Sequence, residues 1–344
     1  MASPFHRTKA LEHIRKAGSI SIVDFTAAHI GQAAKIAKQT YEQERGDVPA
    51  LPSIDAVPGL ASYAENGLGV AAFERDAMVG FLCAAGPFEN AFGSTDAAGV
   101  FSPMGANAAI GEARAKTYAL MYQAAGEKWA RAGAASHGIC LYAHDTEAQA
   151  QFFRYGFGLR CVDAIRGMEE LAAPSCAGYD FTDLDPGELP QVLQLDYLLD
   201  AHMAASPTFI LRPSDTLESW AAKIGRAQSI LIVAKKHGLV VAYIRAEVDG
   251  ETFLCDTPGY LHIKGALCLP EHRGKGLHQA LLSLLLEKAK SQGYTRLGVD
   301  FESINPAAYG FWLKHFAAYT HGVVRRIDEH AITKRKDAPS SRQL

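Results

Sequence analysis

An arginine, two glycines and a lysine stand together at Arg273-Gly274-Lys275-Gly276, between an apolar run ending Leu267-Cys268-Leu269-Pro270 and the amphipathic run from Leu277 to Lys290. Where a helix begins, its first backbone N–H groups lack intrahelical acceptors, and the helix dipole adds partial positive charge. Glycine lets an anion come close to such a backbone. The combination reads as a cradle for pyrophosphate. Two common phosphate motifs do not fit. The P-loop needs G-x-x-x-x-G-K-[ST], and here Lys275 is followed by Gly276. The dinucleotide fingerprint needs a third glycine, but Gly276 is followed by Leu277, His278 and Gln279.

The pattern that does fit is Q/R-x-x-G-x-G/A, with Arg273 in its first place and Gly276 in its fourth. This resembles the coenzyme A pyrophosphate loop of the GNAT acyltransferase superfamily. The strand before the loop, the helix after it and Asn305 downstream strengthen the likeness. The resemblance implies a cofactor, coenzyme A or acetyl-CoA, and a role for each matching position. Arg273, Gly274, Lys275, Gly276, Leu277 and His278 would hold the pyrophosphate. Leu267, Cys268 and Leu269 would lie on a strand splayed from its neighbour, pairing through their backbone with the amides of pantetheine as in strand addition. Asn305 would contact the cofactor arm. His278 departs from the pattern, which has Gly or Ala there. Its ring could crowd the phosphate, point outward or donate to a phosphate oxygen. Without a ligand, the same residues read as a basic helix start and an ordinary buried strand.

The elements that carry the loop occur twice. Gly133 and Gly293 each close a long helical run, and Asp145 and Asn305 each follow twelve residues later. Ala148 and Ala308 lie three residues further on, Phe152 and Trp312 seven, Arg154 and Lys314 nine. An upstream hairpin repeats as Val70–Phe73 with Met78–Phe81, and as Ile232–Lys235 with Val240–Tyr243. In the second long helix, Leu277, Leu281, Leu284, Leu285 and Ala289 form one apolar stripe. This order resembles the GNAT fold in both halves. The expected architecture is α+β (α/β/α): two tandem domains with mixed, mostly antiparallel sheets. Their expected extents are 1–173 and 178–332, with a flexible tail at 333–344. The first half lacks the cradle. Ser102-Pro103-Met104-Gly105-Ala106-Asn107 has no cation and no G-x-G, and the Ala/Gly-rich stretch 97–111 reads as a loop. A degenerate domain is expected there, the alternative being a second coenzyme A site built from other residues.

At 344 residues and 48% hydrophobic content the chain can bury two cores. A net charge of −3 argues against nucleic acid or an anionic membrane as partner. Six cysteines without a C-x-x-C pair read as reduced thiols, which suggests a cytoplasmic protein without a metal site. No apolar run is long enough for a membrane span.

By resemblance the reaction is attack of an amine on an acyl thioester. It needs an acceptor for the ammonium proton and a donor for the leaving thiolate. The family commonly has Tyr seven residues after the Asn position. Here Trp312 stands there, so Tyr309 is the nearest substitute acid, or a packing residue. For the base, His262 comes first because its ordinary pKa of about 6.5 suits proton pickup near neutrality. Glu247, Asp256 and Glu302 are rivals. The run Asp196 to His202 would border the acceptor site, where its acids attract a cationic amine, or form a solvated helix face. The expected function is an N-acyltransferase, most simply an acetyltransferase, acting on a small-molecule amine. The alternative is a non-catalytic acyl-CoA-binding or regulatory protein.

Overall fold

The computed structural model describes residues 20–93, 97–184, 186–211, 215–226, 229–330 and 332. The expected tail 333–344 lies outside them. The chain forms two compact units. One comprises residues 1–47, 53–158 and 322–344, and the other 48–52 and 159–321. Strand pairing is mostly antiparallel, with parallel pairs in both units. No helix among the described residues is long and apolar enough to cross a membrane, and none of the six cysteines forms a disulfide.

In the first unit, β1 (Ile20–Asp24), β2 (Val70–Glu74), β3 (Ala77–Leu82) and β6 (Asn107–Ala109) form one sheet in that order. β4 (Ala85–Phe88) pairs with β5 (Gly99–Ser102), which runs parallel to β7 (Ser136–Tyr142). The helices are α1 (Ile30–Asp47), α2 (Leu60–Glu65), α3 (Arg114–Arg131) and α4 (Thr146–Arg154). The stretch 97–111 is therefore not a loop, because it holds both β5 and β6. Alanine and glycine are small enough for strands packed closely under a helix. A Cβ on Gly80, for example, would lie 2.9 Å from the Ala108 carbonyl.

The second unit is built on strands in the order β8 (Gly158–Gly167), β13 (Arg296–Glu302), β12 (Tyr260–Cys268), β11 (Leu239–Glu247), β10 (Ser229–Lys236) and β9 (Asp180–Asp183). β8 pairs over residues 161–167 with β13, from Arg296↔Gly167 to Glu302↔Cys161. One face of the sheet carries Ile232, Ile244, Leu261, Ile263, Leu297 and Val299 against Leu281, Leu285 and Ala289 of α7 (Leu277–Ser291). The predicted stripe is thus the core-facing one, with Leu284 at its half-buried margin. The other face carries Leu231, Val233, Tyr243 and Leu267 against α5 (Leu189–Ala204) and Trp220 of α6 (Leu217–Arg226). The set is completed by α8 (Pro306–His315) and β14 (Ala317–Arg326).

The repeat seen in sequence has a local physical basis. α3 and α7 both end in a left-handed glycine, Gly133 at φ +92 and Gly293 at φ +88. In each the next N–H reaches back five residues, Ala134 to the Trp129 carbonyl and Tyr294 to the Ala289 carbonyl. This is the hydrogen bond that satisfies an orphan carbonyl at a helix C-terminus. Asp145 and Asn305 are the matching N-caps. Asp145 accepts from the Ala148 N–H at 3.1 Å, and Asn305 from the Ala308 N–H at 3.4 Å. The spacing is conserved between halves because it measures a helix end, one strand and the next helix start.

The halves differ at the strand before the long helix. In the second unit a single strand, β12, pairs parallel with β13 and antiparallel with β11. In the first unit that work is divided. β5 pairs with β7, the chain turns at 103–106, and β6 pairs with β3. Asn107 fills the space between. Its Nδ2 donates to Ser102 Oγ at 3.0 Å and to the Cys140 carbonyl on β7 at 3.0 Å, while Tyr118 Oη donates to its Oδ1 at 3.2 Å. At the start of α3, Arg114 lies 3.8 Å from Asp145.

Two expectations follow. Asn107→Ala would strand buried partners, so denaturant unfolding should show a loss of about 1–3 kcal/mol. The second concerns Asp163 on β8, which faces Asp300 in the ladder and accepts a hydrogen bond from Thr320. Burial, reinforced by the Asp300 and Glu251 charges, pushes its carboxyl up to about 7 from 3.8. Between those values the fold keeps a proton that the unfolded chain releases. Its contribution is therefore complete below about pH 4 and is lost as pH rises to 7. Asp163→Asn should gain on the parent protein across that window, by on the order of a few kcal/mol at pH 7 in denaturant titrations.

Candidate active site

The pairing of β12 with β13 runs from Tyr260↔Arg296 to Ile263↔Val299 and stops. The next residue, Lys264, is extra. β11 pairs Arg245 with Gly265 but Ala246 with Ile263, so Lys264 forms a bulge. A bulge bends and twists its strand. Here it turns residues 264–268 away from β13 while their pairing with β11 continues to Cys268↔Ala242. The groove between the parted strands is lined by Lys264, Gly265, Ala266, Asp300, Glu302, Asn305 and Trp312 in a hollow of about 620 Å³. A second hollow of about 570 Å³ extends past Leu267, Cys268, His202 and Phe311 to Arg273 and His278. A third borders Arg273, Gly274, Gly276 and Gln279.

The loop turns at Pro270–His272 and then passes through two left-handed glycines, Gly274 at φ +73 and Gly276 at φ +79, the latter capping α7. Among the described residues, no acceptor takes the N–H groups of Gly274, Lys275, Gly276, Leu277 or His278. The two glycines differ. A Cβ on Gly274 would meet nothing within 4 Å, whereas one on Gly276 would lie 2.6 Å from Pro174 Cγ. Residues 171–179 strap the start of α7. Ser283 Oγ donates to the Leu171 carbonyl at 2.6 Å, Gln279 Nε2 to the Ala172 carbonyl at 2.9 Å, and Lys275 Nζ to Tyr179 Oη at 3.2 Å. Gly276 is thus required by packing as well as by its φ. Arg273 Nε donates to the Cys268 carbonyl at 3.1 Å, which ties the loop to the end of β12. Cys268 is buried, and burial raises its thiol to about 11.

Asn305, 7% exposed, lines the groove and caps α8, and its side chain also meets His202 Nε2 at 3.5 Å. Helix phase selects which α8 residues face the groove. Asn305, Ala308 and Trp312 do so, because steps of three and four residues keep one face. Tyr309 is one step round. It is 38% exposed, lies edge-on to Phe301 at 6.0 Å and does not line the groove. Of the two readings of Tyr309, acid or packing residue, the contact with Phe301 is what the structure shows. Glu247 is also removed from the groove. It faces His262 in the ladder, but its buried carboxylate is ion-paired with Arg245. Among the lining residues of these hollows there is no tyrosine.

His262 is 1% exposed and lies behind the groove, not in it. One ring nitrogen is 2.7 Å from Asp300 Oδ1 and the other 3.2 Å from Tyr260 Oη. Asp300 is the member of this chain that reaches the groove, beside Glu302, whose carboxylate lies 3.3 Å from Arg160 Nε. Glu251 is nearby, its carboxyl raised by the Asp300 charge and by burial. Sequence reasoning missed Asp300. The alternation Arg296, Gly298, Asp300, Glu302 along β13 placed it on the same face as His262, and that was the signal available. The run Asp196 to His202 divides. Asp196 is committed to Tyr243 Oη at 2.6 Å and Trp220 Nε1 at 3.0 Å, while His202 lines the groove.

Residues 195–317 match the model of the Acetyltransferase (GNAT) family. Among solved structures, a GCN5-related N-acetyltransferase from Sphaerobacter thermophilus is 14% identical, with a TM-score of 0.56 over 89% of this chain and 95% of that one. A GNAT-family acetyltransferase from Colwellia psychrerythraea is 15% identical, with a TM-score of 0.44 over 90% of this chain and 100% of that one. A tandem GNAT protein from the clavulanic acid biosynthesis pathway is 13% identical, with a TM-score of 0.41 over 89% and 97%. No curated protein matches the chain. The Sphaerobacter likeness runs through both halves and gives the fold as GNAT. The residues that match the family model include those of the groove and the loop.

The two glycines should separate in experiment. Gly276→Ala is expected to lower the melting temperature of the ligand-free protein, since its Cβ would displace Pro174 and also occupy a left-handed backbone. Gly274→Ala should cost only the conformational strain, about 1–2 kcal/mol. Thermal melts of both variants without ligand check this.

Proposed function

We propose that the chain is an acyl-CoA-dependent N-acyltransferase, most simply an acetyltransferase, acting on a small-molecule amine through its second unit. The observation that carries this is the opening of β12 from β13 into a groove that ends at the unpaired N–H groups of Gly274 to His278. Coenzyme A would supply an acyl thioester and anionic phosphates. Arg273 and Lys275 with the backbone of Gly274 to His278 would hold the phosphates, and the free edge of β12 at Ala266 to Leu269 would hold the pantetheine arm. Asn305 would border that arm.

Direct attack forms the amide C–N bond and breaks the C–S bond, leaving a thiolate and an ammonium proton to be placed. Asp300 is the proposed proton acceptor at the groove. His262 stands behind it, oriented by Tyr260, and would share the charge. Asp300 and Glu302 also give the groove the sign that favours a cationic amine. Without a tyrosine there, the leaving thiolate would take its proton from the ammonium or from water. The first unit, whose gap is filled by Asn107, would bind no coenzyme A.

The absence of a phenol from the lining also fits a non-catalytic acyl-CoA-binding protein. A thioester-consumption assay across an amine panel separates the two, because a binding protein would consume none. For the enzyme, Asp300→Asn should lower turnover by roughly 10²-fold or more with coenzyme A affinity retained, the signature of lost proton transfer. Turnover of Tyr309→Phe should stay within about twofold of the parent protein. A full rate in Asp300→Asn would assign proton removal elsewhere.

A further inference from the structure

Beside the groove, one group of side chains has metal-ligand chemistry. Cys161 on β8, Asp300 on β13 and Glu251, in the connection after β11, hold a thiol sulfur and two carboxylate oxygens within 4.8 Å of one another. Strand register brings two of them together. Asp163 stands opposite Asp300 and Cys161 opposite Glu302 in the β8–β13 ladder, so all four lie on one face of the sheet.

These groups are not equally committed. Glu302 is ion-paired with Arg160. Asp300 is held by His262, 2.7 Å from its Oδ1, the kind of outer partner that orients a ligating carboxylate. The Cys161 thiol has no hydrogen bond among the described residues. Asp163, 7% exposed, accepts from the Thr320 hydroxyl but has no ion-pair partner among the described residues. A buried carboxyl with no counter-charge, facing a second carboxylate, calls for a proton or a cation. The local potential points the same way. Burial and the neighbouring carboxylates raise Cys161 and Asp163, and the Asp300 charge with burial raises Glu251. Lys264 offsets this only in part at Glu251.

The donor set says which cation. A thiolate with two carboxylates suits Zn²⁺, whereas Mg²⁺ and Ca²⁺ take oxygen ligands. With Zn–S of about 2.3 Å and Zn–O of about 2.0–2.2 Å, the ligand atoms of a tetrahedral zinc stand roughly 3.4–3.6 Å apart. Glu251 is exposed and lies outside helix and strand, so it is the ligand that can close the difference. Water would take the fourth position.

We propose that Cys161, Glu251 and Asp300 form a zinc site at the edge of the groove, and that zinc bound there switches acyl transfer off by occupying Asp300. On binding, the Cys161 thiol gives up its proton to solvent and the sulfur bonds the metal. The site stands on these residues alone. The switch rests on the reading of Asp300 as proton acceptor.

The test uses the full chain, reduced and free of metal. Co²⁺ in place of Zn²⁺ should give a thiolate-to-cobalt charge-transfer band in the near ultraviolet, and Cys161→Ser should lose it. The other cluster of this kind among the described residues, Glu44, Asp47 and His144, holds no sulfur and cannot give the band. Calorimetric titration with Zn²⁺ should show affinity falling at least about 10-fold in Cys161→Ser and in Glu251→Gln, the latter an exposed change that keeps the test open if the former misfolds. Mg²⁺ should show no binding at the same concentrations. Zn²⁺ should stop thioester consumption by the parent protein, and each variant should keep its metal-free rate within about twofold and need at least about 10-fold more Zn²⁺ for the same inhibition. No band in the parent protein, a band kept in Cys161→Ser, or unchanged Zn²⁺ affinity in both variants would overturn the site. Zinc bound with full turnover would overturn the switch. A parent protein without turnover on any amine would fail the acyltransferase reading and the switch with it, while the cobalt band still decides the site.

Discussion

The structure of the second unit depends on where one ladder of hydrogen bonds ends. β12 and β13 share bonds as far as Ile263 and Val299, and the extra residue Lys264 then bends β12 away. Parting two strands inside a sheet leaves backbone donors and acceptors without partners, which a protein bears only where something else can meet them. The antiparallel bond to β11 continues past the bulge and keeps residues 265–268 extended. One edge of the strand is therefore held rigid while the other is open. Everything at the site is placed from this. Asn305 and Trp312 enter the gap from α8, His202 from α5, and the glycine loop begins where the open edge ends.

The first unit shows the same topology with the gap closed. There the strand is cut at the turn 103–106, and the Asn107 amide bonds Ser102 and the Cys140 carbonyl across it. A primary amide supplies both donors and an acceptor, so one side chain satisfies the groups that a ligand would meet. At the start of α3, Arg114 is paired with Asp145. Two copies of one pattern have thus settled the same unpaired backbone in different ways, one with its own side chain and one with an open groove.

The polar face of β13 gives the groove its chemical character. Alternation along an extended strand puts Gly298, Asp300 and Glu302 on one side, with His262 and Asp163 from the neighbouring strands beside them. Several carboxyls held close together under burial cannot all ionise cheaply, which raises Asp163 and Glu251. Asp300 stands at the edge of this cluster with His262 at 2.7 Å, where a charge change can be shared between acid and base.

What the sequence determined by itself was local and periodic. The glycine loop, the helix-closing Gly133 and Gly293 and the stripe on α7 follow from helix ends and helix repeat, which depend on residues near in the chain. The doubled spacing then pointed to a repeated fold, because equal spacing measures equal elements. The tertiary structure decided what depends on residues far apart. It showed that Pro174 sits on Gly276, that Arg245 holds Glu247, that Tyr309 turns to Phe301, and that His262 reaches the groove only through Asp300. Type and spacing tell which elements a chain forms. Which side chains meet is set by the packing of those elements, and a strand bend of one residue was enough to change it.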